Sequence, residues 1–150
     1  MLGSRSLALG AVAMSLSTPT QGAPAFLVHV AQLLTSNHYA VAYRSLAEAD
    51  RALVLRDTYV RCSLRRLIPG RLLSVRVLHA WSEEVVVVPD HPAMASVAVR
   101  LEIRVAVPTI SRPVRTVVTR HAIREGNRWA WMLPPARLSF FANGCGDPST

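Results

Sequence analysis

The chain contains no lysine: all 17 of its basic residues are arginine, set against 9 acidic ones. This absence reads as the mark of a GC-rich coding sequence rather than of a selected phosphate-binding surface, although guanidinium does favour bidentate anion contacts. Aromatic residues are scarce, at 6%, so the alternation of basic and stacking residues used by single-strand nucleic-acid binders is missing. Cysteine occurs only at Cys62 and Cys145. Neither has a second ligand at finger-like spacing, which argues against a metal site. No P-loop, dinucleotide glycine motif, Ser/His/Asp order or metal-ligand cluster can be picked out, so no cofactor is expected.

What is present starts with the first 25 residues. Arg5 is their only charge. An apolar run over residues 7–16 follows, then a Ser/Thr/Pro/Gln break and the small-residue site Ala23-Pro24-Ala25. This order predicts an export signal cleaved after Ala25. The run is about half of what crosses a bilayer as a helix, so no transmembrane span is expected. The segment holds no Cys that could carry a lipid anchor. Residues 1–25 are thus expected as signal, 26–145 as a single domain and 146–150 as a tail. The 51% hydrophobic content suits one folded core rather than a disordered chain. A formal net charge of +8 draws the protein toward anionic polymers or membranes through a salt-sensitive field. For an exported chain, an envelope component or partner protein fits that charge better than nucleic acid. Two thiols in an oxidising compartment most simply form one disulfide, Cys62–Cys145. Closing a loop of roughly 80 residues is worth about 4 kcal/mol by chain entropy.

Helices come first and strands afterwards. Phe26, Val30, Leu33 and Leu34 recur at helical steps after Pro24. Residues 35–38 interrupt, and Tyr39, Val41, Ala42, Tyr43 and Leu46 resume the period. Residues 49–54 form a short helical segment. Asp50 and Asp57 sit where helix caps are expected, Asp57 for a helix carrying Tyr59, Val60, Leu64 and Leu67. After Pro69-Gly70 the period becomes two, with Leu73, Val75, Val77 and His79 on one parity. A short β-branched run covers 84–88. The clearest strand covers 96–107, with Val97, Val99, Leu101, Ile103, Val105 and Val107 on one face and Arg100, Glu102 and Arg104 on the other. Strands over 114–124 and 128–133 are joined by Glu125-Gly126-Asn127, and 137–141 adds a last short segment. The order predicts an α+β domain with N-terminal helices packed on one face of an antiparallel sheet.

Several strings strengthen this picture: Ser36-Asn37-His38-Tyr39-Ala40-Val41-Ala42-Tyr43, Ala49-Asp50-Arg51-Ala52-Leu53-Val54, Arg56-Asp57-Thr58-Tyr59-Val60-Arg61-Cys62 and Gly126-Asn127-Arg128-Trp129-Ala130-Trp131-Met132-Leu133. Together and in order they resemble the small secreted bacterial branch of the nuclear-transport-factor-2-like superfamily, the cystatin-like α+β cone. Members often carry Gly-Asp where this chain has Asn37-His38, and Asn tolerates the left-handed turn needed there. The resemblance implies a curved sheet wrapped around the helices, with a pocket between its concave face and the first and third helices. Some members use such a pocket for catalysis and many have no known chemistry, so fold alone does not decide function.

Candidate chemistry is thin. Asp90, Glu125 and Asp147 read as turn or tail residues, Glu102 lies on a polar strand face, and Glu83 and Glu84 follow Trp81 near a strand start. No catalytic residue can be named. Tyr39, Tyr43, Tyr59, His79, His121 and Trp131 are the candidates for lining a pocket. Arg61, Arg65, Arg66, Arg76, Arg100 and Arg104 are the candidates for an anion-attracting surface. Two readings follow. One is an exported, non-catalytic binding or scaffold module that holds a small apolar ligand or an envelope partner, with a homodimer compatible. The other is a small pocket enzyme of isomerase or hydratase type, which would need a buried carboxylate or His facing the interior.

Overall fold

Pro24 has no N–H to leave unbonded and its φ is pre-set, so it suits the start of a helix. In the structure, a computed structural model that describes residues 22–86 and 92–146, helix α1 spans Ala23–Thr35. Ala23-Pro24-Ala25 is therefore its first turn, with Ala23 buried, while residues 1–21 of the expected signal lie outside the described residues. Leu27, Val30, Ala31 and Leu34 form the buried stripe at three- and four-residue steps. Phe26 and Leu33, expected within that stripe, flank it and are partly buried.

Helix α1 ends at a turn whose Asn37 has φ 62°, the left-handed conformation expected of it. Its side chain clamps the Ile68 peptide from both sides: Oδ1 accepts from the Ile68 N–H at 2.9 Å and Nδ2 donates to the Ile68 carbonyl at 3.2 Å. Three short helices follow, α2 (Tyr39–Tyr43), α3 (Glu48–Leu53) and α4 (Arg56–Leu64). Asp57 does not cap α4. That position belongs to Leu55, and Asp57 sits exposed one residue inside the helix, 3.4 Å from Arg56 Nη1. Val41, Leu64 and Leu67, expected on apolar stripes, are exposed.

The strands are β1 (Arg71–Val85), β2 (Met94–Ala106), β3 (Val114–Glu125) and β4 (Arg128–Trp131), followed by helix α5 (Pro135–Ala142). They form one antiparallel sheet in the order β1-β2-β3-β4. The domain is thus α+β, with an N-terminal helical region against a four-stranded sheet and a closing helix, as the pattern predicts. The two runs expected at 73–79 and 84–88 belong to a single strand as far as Val85. Val87, Val88, Asp90, His91 and Asp147 lie outside the described residues. The last segment, left without a period by the sequence, is helical because Pro135 opens it.

One sheet face carries Val99, Leu101, Ile103 and Val105 into the core with α1. Arg100 and Arg104, of opposite parity, are exposed. Glu102 shares their face yet is only 6% exposed, because Arg76 and Arg115 from the flanking strands close over it. The free edge of β4 is covered by the 45–47 segment: Ala47 N–H donates to the Trp131 carbonyl at 2.8 Å, and Trp131 N–H to that of Ser45 at 3.0 Å. Cys62 on α4 and Cys145 beyond α5 form a disulfide with Cα atoms 5.2 Å apart.

Candidate functional site

Four aromatic rings pack together beneath the site, and three of them, Tyr59, Trp131 and Phe141, form its floor. Tyr59 on α4 lies at their centre, with ring centroids 4.8 Å from Phe141, 5.5 Å from Tyr43 and 6.3 Å from Trp131. The polar tips of these residues are satisfied where they are enclosed. Trp131 Nε1 donates to the Ala42 carbonyl at 2.8 Å, and the Tyr43 hydroxyl to the Val54 carbonyl at 2.7 Å. Burial pushes the Tyr59 hydroxyl up to about 12, so it stays a neutral phenol throughout the physiological range.

A cavity of about 550 Å³ opens over this floor, between β3, the end of α1, α2, α4 and α5. Leu34, Ile68, Val118 and Leu133 give it apolar walls, and Tyr39, Ser63 and Thr119 add hydroxyls. Its size and lining fit a small-molecule site. The remaining character is cationic: Arg66, Arg120 and Arg137 all line it, and no Asp, Glu or His does. Arg120 shares the inward parity of Val118 and Ala122 on β3, opposite Val99. It is half-buried, and its Nε is sealed from solvent without a hydrogen-bond partner. Burial disfavours its charge, with Tyr59 drawing the other way and Arg137 adding to the penalty. Arg137 is disfavoured first by burial and then by Arg66. The guanidinium carbons of Arg66 and Arg137 lie 4.6 and 4.9 Å from the Phe140 ring centroid, which fixes two like charges beside one ring.

A second cavity of about 690 Å³ shares Thr119, Arg120, Leu133 and Pro134 with the first and is otherwise largely apolar, with Leu53, Val85, Met132 and Leu138 in its walls. His121 lines it. The His121 Nε2 meets Glu83 Oε1 in a short contact, while Glu83 Oε2 accepts from Trp81 Nε1 at 3.0 Å. The bonds from Trp81 and then from His121 hold the Glu83 carboxyl below its ordinary range.

The structure brings three of the six expected pocket residues, Tyr39, Tyr59 and Trp131, into the first cavity. Tyr43 is sealed in the core. His79 was expected on the face of Val75 and Val77, but β1 is bulged between Val77 and His79. A bulge inserts one residue and reverses the parity beyond it. His79 consequently pairs with Arg100 on the exposed face and stacks on Trp81 at 5.4 Å. His121 lies on that same face, opposite Ala98, so the second cavity and not the first receives it. All six arginines of the expected cationic surface, Arg61, Arg65, Arg66, Arg76, Arg100 and Arg104, are exposed. Arg76 is bound 3.1 Å from Glu102, and Arg66 stands over Phe140 at the first cavity.

Three residues outside the expected set matter most. Arg120 and Arg137 supply the cavity's inner cations. Asp50, expected as a local cap, is only 1% exposed, and its Oδ2 accepts from the Leu133 N–H at 2.8 Å. Burial raises its carboxyl above the usual range, although the Leu133 bond opposes this. It acts as an anchor for the Leu133 wall shared by both cavities. Among the described residues no group of three or more His, Cys, Asp or Glu could hold a metal ion, and no helix is long and apolar enough to cross a membrane.

Comparison with known proteins finds no matching family model, no matching curated protein and no matching solved structure.

Proposed function

We propose that this protein is an exported, non-catalytic binding module of the nuclear-transport-factor-2-like kind, which holds a small molecule with an apolar body in the cavity over Tyr59 and Trp131. The observation that carries the reading is the make-up of that cavity. It combines a rigid aromatic floor and apolar walls with no carboxylate or imidazole to move a proton. The Cys62–Cys145 disulfide accords with an oxidising compartment outside the cytoplasm. Native mass spectrometry of the protein recovered from outside the expressing cell tests both parts. The expected result is a chain shortened to begin near Phe26, carrying a small molecule that leaves on denaturation. A full-length cytoplasmic species would refute export, and an empty protein unaffected by added apolar compounds would refute binding.

The second reading, a small pocket enzyme, draws on the Glu83–His121 pair at the edge of the second cavity. A carboxylate that orients an imidazole is the arrangement of a general base. Turnover of an apolar carbonyl or hydroxy compound, abolished by His121→Gln, would favour this reading over the first.

A further inference from the structure

We infer that the first cavity recognises the oxyanion head of an amphipathic small molecule, with Arg120 and Arg137 as the head-group contacts and the aromatic floor beneath its apolar body. The inference rests on the binding reading above and names its ligand class.

Three observations converge. Arg120 projects from the inward face of β3 with a buried Nε that no protein group satisfies. A buried donor without a partner is costly, and a guanidinium cannot relieve the cost by losing its proton. Arg66 and Arg137 are held beside the same Phe140 ring, and Arg137 lines the same cavity as Arg120 and adds to the burial that disfavours the Arg120 charge. The cavity's lining holds no acid that could balance three cations. Arginines on the opposite face and at the β3–β4 turn do have acids beside them, Glu102 for Arg76 and Arg115 and Glu125 for Arg128, and Arg51, whose Nε is also buried without a partner, lines neither cavity. The charge demand at the cavity is therefore left for something that enters it. A planar guanidinium fork suits a carboxylate or phosphate in a bidentate contact. The walls suit a hydrocarbon body attached to that head, since Leu34, Ile68, Val118 and Leu133 are apolar and the Trp131 indole N–H is already given to the Ala42 carbonyl.

The test is calorimetric titration of the full chain with decanoate, decyl phosphate and decanol, repeated on Arg120→Gln and Arg137→Gln with melting curves as the check on folding. Either acid is expected to bind at least about tenfold more tightly than the alcohol, and the better acid identifies a carboxylate or a phosphate head. Each variant should bring the acid down to the level of the alcohol while the alcohol's own affinity is unchanged. Raising the salt should not abolish binding, because a desolvated contact is screened far less than a surface one. Equal binding of all three compounds, indifferent to both variants, would overturn the head-group assignment and leave the apolar binding reading standing. No binding of any of them would overturn both. Should one variant fail to fold, the other alone decides, since Arg120 and Arg137 come from different elements.

Discussion

Replacing Cys145 by Ser would cut the covalent tie between α4 and the end of α5, and the fold makes the cost calculable. The two cysteines are 83 residues apart. Removing that cross-link frees the unfolded chain to explore conformations that loop closure forbids, worth about 4.5 kcal/mol by the chain-entropy treatment. A domain of this size holds roughly 5–15 kcal/mol in total. The loss is therefore a large share of the whole, and corresponds to a fall in melting temperature of roughly 15 °C. Cys145 is the better position to change because it is part-exposed, whereas Cys62 is fully buried and its removal would add a core defect. The consequence reaches the site, since α5 carries Arg137, Phe140 and Phe141, which line the cavity or pack beside it. Thermal melts of oxidised, reduced and Cys145→Ser protein should place the last two together and well below the first. Titration should then show weaker binding in the cavity. A fall of less than about 3 °C would refute the reasoning, because it would mean the cross-link scarcely restricts the unfolded chain. An unchanged cavity affinity would refute the claim that the staple seats α5.

Asp50→Ala should cost about 1–3 kcal/mol in a urea melt, because it orphans the buried Leu133 N–H, and Asp50→Asn should cost less by keeping an acceptor there. Burial raises the Asp50 carboxyl in the native state, so the native state binds this proton more tightly than the unfolded chain, where the group titrates near ~3.9. Its contribution to stability therefore falls as pH rises from the unfolded value through the native one. Asp50→Asn should remove that slope, and identical pH profiles for wild type and variant would refute the assignment. Arg100→Gln with Arg104→Gln should leave stability within about 0.5 kcal/mol, because both side chains are exposed. The same pair should weaken binding to anionic vesicles, and in the wild type that binding should itself fall steeply as salt rises toward about 0.1 M and beyond. A collapsed fold or salt-independent vesicle binding would refute the long-range role of that face.

The elements were legible where one physical preference dominated. Alternation over β2 is uninterrupted, so Val99, Leu101, Ile103 and Val105 declare the core face and Arg100 and Arg104 the solvent face without help from any neighbour. The turn at Asn37 was equally readable, because few residues other than Gly tolerate positive φ. In β1 the same logic carried one residue too far. A bulge leaves no mark in composition, and beyond Val77 it turned His79 away from the interior. Helix α5 did carry a signal, Pro135 at its start with Leu138 and Phe141 three residues apart, but the stretch is too short for periodicity alone to separate helix from strand.

The site itself depended on the two judgments that sequence makes worst. Asp50 looks like a cap because Asp caps helices locally, yet its partner Leu133 lies 83 residues away, and only the folded chain brings the two together. Strand β3 is apolar on both parities, with Val117 and Ile123 on one and Val118 and Ala122 on the other. Nothing within the strand says which set faces inward. The rule that arginine stays outside then favours the wrong set, since it places Arg120 in solvent and His121 in the pocket. Pairing with β2 reverses this: Arg120 lies opposite Val99 and His121 opposite Ala98. An inward arginine survives there because the cavity leaves its guanidinium room to meet a partner that is not part of the chain. The residue that general propensity would place in solvent is thus the one on which the ligand assignment depends, and Arg120→Gln is the substitution that separates a functional cation from a tolerated one.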